Sequence, residues 1–316
     1  MIEQERAESG EPVSIATVFL TNRECPWRCL MCDLWKNTLT ETAPAGAIPA
    51  QIKWALQQPF SPPSDRRREG AVATPSLPPL ESPEVHPSGS AVRQIKLYNS
   101  GSFFDPRAIP PEDLPAIAER VRGFERVIVE CHPALVGESA VKFRDSLEGA
   151  KLEVAMGLET VHPEVLPRLN KRMTLVEFSQ AAAYLRRNGV ALRVFILVKP
   201  PFLDEAEALH WAKRSIDFAF DCGAAVASLI PTRSGNGALD ALARSGGFAP
   251  PKLATLEAAL DYGVSLGRGR IFADLWELER FSDCPDCFRA RKERLEKINF
   301  SQLVVAPVCC AKCGAA

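Results

Sequence analysis

The sequence predicts an α/β fold: an open or partial TIM-like barrel of parallel strands with helices outside and a small cysteine-rich appendage at the C-terminal end. Three observations carry this. From residue 92 onward, short β-branched runs alternate with amphipathic helical stretches, the order that builds a parallel sheet. Seven strands can be counted, one fewer than a complete eight-fold barrel. A chain of 316 residues, 46% hydrophobic, can bury a core of that size. A doubly wound sheet is the alternative, and in either case ligands belong at the C-terminal ends of the strands.

The elements follow in order. Residues 13–21, "VSIATVFLT", are a β-branched apolar run and read as a buried strand. In 45–58, "AGAIPAQIKWALQQ", Ile48, Ile52 and Leu56 fall at helical spacing. Residues 59–90 are rich in Pro, Ser and charge, with little to bury, and read as a disordered insertion. The remaining strands are "VRQIKLYNS", "RVIVEC", "LEVAMGLE", "VALRVFILVKP", "AVASLIP" and "RIFADLW". Between them, "LVEFSQAAAYLRRNG" stacks Phe178, Ala182 and Leu185 on one face and stops at Gly189. "EALHWAKRSIDFAFDCG" repeats Leu209, Ala212, Ile216 and Phe220 before Gly223. The domain division is thus a barrel over 13–276 and a cysteine-rich tail over 277–316.

With 38 basic and 39 acidic side chains, the chain is not a globally basic nucleic-acid binder, though a local patch is compatible with the composition. The start, "MIEQERAESGEP", lacks the apolar run of a signal peptide, and no stretch is long enough to span a bilayer. The expectation is a cytoplasmic protein with no membrane partner. In a reducing compartment ten cysteines are poor disulfide material, so clustered ones read as metal ligands or redox groups.

The first cluster is "RECPWRCLMCDLW", which places Cys25, Cys29 and Cys32 in a C-x3-C-x2-C array just past the first strand. Iron-sulfur clusters normally take four cysteine thiolates, so three leave one iron open to a small chelating molecule. A zinc site completed by a distant fourth ligand is the alternative.

In spacing and context "CPWRCLMC" resembles the cluster loop of the radical SAM enzymes. The resemblance extends over most of 13–276 outside the insertion, and implies a partial barrel of the radical SAM type. It also implies a 4Fe-4S cluster on Cys25, Cys29 and Cys32, and reductive cleavage of S-adenosylmethionine (SAM) to a 5'-deoxyadenosyl radical. An electron donor such as a flavodoxin or ferredoxin would be a partner. "YNSGSFFDP" stands where the family has a Gly-Gly-Glu-like turn for the SAM amino group, so Ser100, Gly101 and Ser102 are carried over as cofactor-binding, with the acidic member missing. "AMGLET" resembles the segment whose acidic residue approaches the SAM ribose or methionine end, which assigns Gly157 and Glu159. Met31 stands where many members have an aromatic residue. Within the superfamily, "SGSFFDP", "GLETVHPEVLPRLNKRMT" and "FILVKPPF" are most similar to the archaeosine synthase β-subunit group, and more distantly to elongator catalytic subunits. That likeness implies a tRNA or modified-nucleoside substrate, though a superfamily resemblance transfers a cofactor better than a substrate.

Other residues at strand ends are catalytic candidates. Glu130, Cys131 and His132 end the third strand: a carboxylate or imidazole there could move a proton and a thiol could donate a hydrogen atom. The alternative is that Cys131 is a small buried hydrophobe and His132 a helix cap. Lys199, before Pro200 and Pro201, could bind the SAM carboxylate or an anionic substrate, or be an exposed loop lysine. His162 reads as structural, and Asp274 and Trp276 as substrate-pocket candidates.

In the tail, Cys284 with Cys287 and Cys310 with Cys313 form two C-x2-C knuckles, leaving Cys309 over. Four thiolates fit a structural zinc site, an auxiliary iron-sulfur cluster, or unligated free thiols. Between the knuckles, Arg289, Arg291, Lys292, Arg294 and Lys297 could meet RNA phosphates, or form the solvated face of a helix with Glu293 and Glu296. The reading is therefore a radical SAM enzyme. Its rivals are a radical enzyme acting on a small metabolite or peptide, and a non-catalytic iron-sulfur or zinc redox sensor or RNA scaffold.

Overall fold

The computed structural model describes residues 1–58 and 92–314, so the stretch read as an insertion, 59–90, lies outside the described residues. One eight-stranded sheet follows chain order from end to end. The strands are β1 (Ile2–Arg6), β2 (Pro12–Phe19), β3 (Val92–Tyr98), β4 (Arg126–Glu130), β5 (Lys151–Glu159), β6 (Ala191–Val198), β7 (Val226–Pro231) and β8 (Arg270–Ala273). From β2 to β8 every neighbouring pair is parallel. The seven predicted strands are these. The count needs one correction, because β1, from "IEQER", adds an antiparallel eighth strand ahead of residue 13. β1 and β8 do not pair, so the barrel is nearly closed with one open seam.

The helices are α1 (Ala47–Gln57), α2 (Leu114–Val121), α3 (Glu138–Ser146), α4 (Val165–Arg168), α5 (Leu175–Arg187), α6 (Glu205–Asp221), α7 (Ala238–Arg244), α8 (Leu253–Ser265) and α9 (Pro285–Ser301). Among the described residues no helix is long and apolar enough to cross a membrane. α5 starts on a capping box in which Thr174 and Glu177 satisfy each other's backbone amides, and Gly189 follows its end at φ 65°. Ile95, Leu97, Val127, Val129, Val154 and Val194 turn outward from the sheet. They are buried against Ile117, Val121, Phe143, Phe178, Leu185 and Ile216 of the helix layer.

Alternate residues turn inward, and at the N-terminal end of the barrel they are charged. Arg193 of β6 meets Glu5 of β1 at 2.7 Å and Glu153 of β5 at 2.7 Å, Arg126 of β4 meets Glu153 at 3.2 Å, and Lys96 of β3 pairs with Glu5. The two Glu5 pairs join β1 to β6 and to β3, neither of which is its neighbour in the sheet, so they span the interior. The cage explains why a strand as charged as β1 belongs to the sheet: its Glu5 is a buried counter-ion. It also fills one end of the barrel and leaves the C-terminal mouth for ligands.

Candidate functional site

β2 delivers the chain to the mouth, where the loop carrying Cys25, Cys29 and Cys32 is held by three other segments. Leu30 N donates to Leu169 O at 2.9 Å. Asn170 Nδ2 donates to the carbonyls of Trp27 (2.9 Å) and Arg28 (3.1 Å), and Asn236 Nδ2 to Leu30 O at 2.6 Å. The third segment is the turn at Gly101, which lies so close that a Cβ there would stand 3.4 Å from Cys25 Cβ. All three thiols are free and half-buried. Burial raises each of them, Cys29 to about 12, and the Lys171 ammonium works against that rise. Three soft, partly desolvated donors in a pinned loop, with a cation beside them to offset thiolate charge, fit the cluster implied by the sequence.

The turn after β3 is built around a carboxylate from the next strand. Ser100 takes φ 55°, and Glu130 at the end of β4 accepts the amides of Asn99, at 3.1 Å, and Ser100. Ser102 Oγ accepts the His132 amide at 2.9 Å. Burial raises Glu130 to about 7 against the lowering effect of those amide hydrogen bonds. The Ser100–Ser102 turn has no acidic side chain of its own, and Glu130 puts a carboxylate at it from the next strand. Both side-chain amide atoms of Asn99 are buried without a partner among the described residues, an unusual expense inside a protein.

β5 contributes Gly157 and Glu159. Glu159, at φ 66°, pairs with Lys171 Nζ at 2.6 Å, and both side chains are buried. A Cβ at Gly157 would fall on Glu159 Oε1 and Lys171 Nζ, which is the physical reason for glycine there. Lys171 therefore joins the Glu159 position to the cysteine loop.

The remaining candidates separate. His132 stacks on Trp27 of the cysteine loop with ring centroids 4.0 Å apart. Its Nε2 donates to Lys171 O at 2.9 Å and its Nδ1 accepts the Ala134 amide, so the ring is neutral and fully engaged. Burial lowers its pKa to about 4. Cys131 faces outward into the helix-layer core, donates to His132 O, and is raised by burial. The structure thus does not bring this thiol to the mouth. Lys199, at φ 53°, is drawn away to Glu205 at the start of α6 (3.1 Å) and Pro250 O (3.2 Å). His162 Nδ1 accepts the amides of Glu164 and Val165. Asp274 holds Arg233 at 2.8 Å, and Trp276, 71% exposed, stands at the end of the last strand.

Lys171, Asn170, Asn236 and Trp27 were not singled out by sequence reasoning. Lys171 and Asn170 lie in the "GLETVHPEVLPRLNKRMT" segment, where a polar pair after a short helix looks like ordinary loop. Asn236 lies between two glycines and carries no periodic signal.

In the tail, Cys284, Cys287, Cys310 and Cys313 converge with all four sulfurs within 4.8 Å of one another. The basic run needs a correction. Arg291 and Arg294 are buried against Glu257 and Asp261 of α8, so only part of that run faces solvent.

No family model matches the chain. It is 32% identical over 164 residues to the archaeosine synthase subunit beta of Methanosarcina acetivorans, a match covering 50% of this chain and 47% of that protein. The chain thus spans about half the length of this curated relative. Among solved structures, methylornithine synthase superposes with a TM-score of 0.53 at 13% identity, covering 92% of this chain and 71% of that one. The archaeal Elp3 of Methanocaldococcus infernus gives 0.53 at 14%, covering 90% and 63%. With both structures the chain shares its fold, an α/β barrel that one open seam leaves short of closure.

Proposed function

We propose that this chain is a radical SAM enzyme in which Cys25, Cys29 and Cys32 hold a 4Fe-4S cluster at the mouth of the barrel. One observation carries the reading: a loop of three thiols, one short of the usual ligand set, is pinned by Leu169, Asn170 and Asn236 at the end of a barrel where ligands belong. When bound, the cluster and SAM would supply reductive cleavage of SAM to a 5'-deoxyadenosyl radical. The protein's own part is to bind and orient. The Ser100–Ser102 turn, backed by Glu130, and the Gly157–Glu159 segment are the SAM-binding groups. Lys171 offsets the thiolate charge. Glu130, with its proton released near neutrality, is the candidate to hold or move one. His132 positions Trp27 and Lys171.

The substrate proposed is a nucleoside in tRNA, because of the likeness to an archaeosine synthase subunit. Phe19 and Trp276, 63% and 71% exposed at the ends of β2 and β8, are aromatic surfaces on which an unstacked base could lie. An electron donor of the flavodoxin or ferredoxin kind completes the partners, and the tail is read as a metal site. Iron analysis tests the assignment: anaerobically reconstituted protein should lose about four irons in the Cys25/Cys29/Cys32→Ala variant. Equal iron in the two proteins would refute it.

A further inference from the structure

The four tail thiols are too close together for a polynuclear cluster. Cys284 Sγ lies 4.0 Å from Cys310 Sγ, and Cys287 Sγ lies 3.7 Å from Cys313 Sγ. A tetrahedral ion with bonds of about 2.3 Å places its sulfurs about 3.8 Å apart. An iron-sulfur cluster distributes its ligands over several irons and spreads them wider.

The site also lies at one end of a continuous mechanical path. Cys284 is the N-cap of α9 and Cys287 is in its first turn. Partway along, Arg291 and Arg294 bind Glu257 and Asp261 of α8, and Arg294 also donates to the carbonyls of Val305 and Ala306, which steers the chain back toward Cys310 and Cys313. At the far end, Asn299 meets the free edge of β8. Its Oδ1 accepts the Ala273 amide at 2.9 Å and its Nδ2 donates to the Ala273 carbonyl at 2.8 Å. Gln302 does the same for Ile271, at 2.7 and 2.8 Å. Ile271 and Ala273 are the alternate residues of β8 that point away from β7, so these two amide side chains take the place of a neighbouring strand. α9 packs on β1 as well. It thereby covers the seam where the barrel does not close.

We propose that Cys284, Cys287, Cys310 and Cys313 bind a single tetrahedral divalent ion of the zinc type, and that this ion fixes α9 as the closing wall of the barrel through Asn299 and Gln302. The proposal rests on the reading of the tail as a metal site and is independent of the chemistry at Cys25, Cys29 and Cys32.

The test uses the full chain, purified anaerobically. Elemental analysis should give about one zinc per chain, lost in Cys310→Ser/Cys313→Ser while the iron held by the other loop is unchanged. Hydrogen exchange in the same variant should quicken at Ile271 and Ala273 by roughly tenfold or more, the loss of hydrogen bonds of ordinary strength, with Ala227 and Leu229 of β7 unchanged. Asn299→Leu/Gln302→Leu leaves the thiols intact and should show the same local quickening with zinc retained. Extra iron lost with the tail thiols, or β8 protection unchanged in the second variant, overturns the proposal. Loss of iron binding by the wild-type loop with zinc retained would instead refute only the radical SAM reading.

Discussion

Replacing Glu159 by Ala removes the partner of a buried lysine at the centre of the site. The Lys171 ammonium and the Glu159 carboxylate are 2.6 Å apart with side-chain exposures of 11% and 8%, so little solvent is available to either once the other is gone. Breaking a buried pair from one side costs about 3–5 kcal/mol, chiefly because the remaining charge is stranded. In protein without iron, Glu159→Ala should therefore lower unfolding free energy by about that amount. Lys171 also lies within electrostatic reach of Cys25 and Cys29, so thiolates bound to a cluster would supply a second counter-charge. The same substitution should cost clearly less in iron-loaded protein. Lys171→Met should be costly alone, and Glu159→Ala/Lys171→Met should cost less than either single change, since no charge is left stranded. Anaerobic urea unfolding of the four proteins, with and without iron, measures this. Additive single effects, or a cost for Glu159→Ala that iron does not reduce, would show that the pair does not link β5 to the cysteine loop. Equilibrium dialysis should in addition show weaker SAM binding in Glu159→Ala with iron retained.

Three further outcomes follow from the same geometry. Gly157→Ala should displace the Glu159–Lys171 pair, destabilise by about 1–3 kcal/mol and weaken SAM binding while iron content holds, as dialysis and iron assay can check. Glu5→Gln should cost about 3–5 kcal/mol at neutral pH. Burial tends to raise the Glu5 carboxyl, but Arg193 and Lys96 hold it far below its ordinary 4.5, so its contribution is present above that pH and lost as pH falls; acid titration of stability should be flatter in the variant. Glu130 works in the opposite sense. Its unfolded carboxyl ionises near 4.5 and the folded one near 7, so stability declines as pH rises between those values, and Glu130→Gln should remove that decline in unfolding measured across the window.

The parallel strands were legible because their outward faces are runs such as Ile95, Leu97, Val127 and Val129, whose burial follows from local composition. β1 was not, since Glu5 is meaningful only beside Lys96 and Arg193, which are 91 and 188 residues away. The cysteine loop was legible because its ligands are fixed by short spacing, whereas the asparagines that pin it act across 143 and 206 residues. Lys199 was read from its place at a strand end, but the left-handed backbone there turns its side chain toward Glu205. The basic tail run was visible as charge. Which of its arginines would face α8 depended on Glu257 and Asp261, and no local pattern reveals that pairing.

The central claim is that three cysteines at the barrel mouth hold a cluster that cleaves SAM. Chemical reduction of anaerobically reconstituted protein in the presence of SAM, followed by chromatography, tests it most directly. The account predicts 5'-deoxyadenosine and methionine from the wild type even without substrate, and neither from the Cys25/Cys29/Cys32→Ala variant. Iron-loaded wild-type protein that binds SAM yet forms no 5'-deoxyadenosine with any reductant would contradict it.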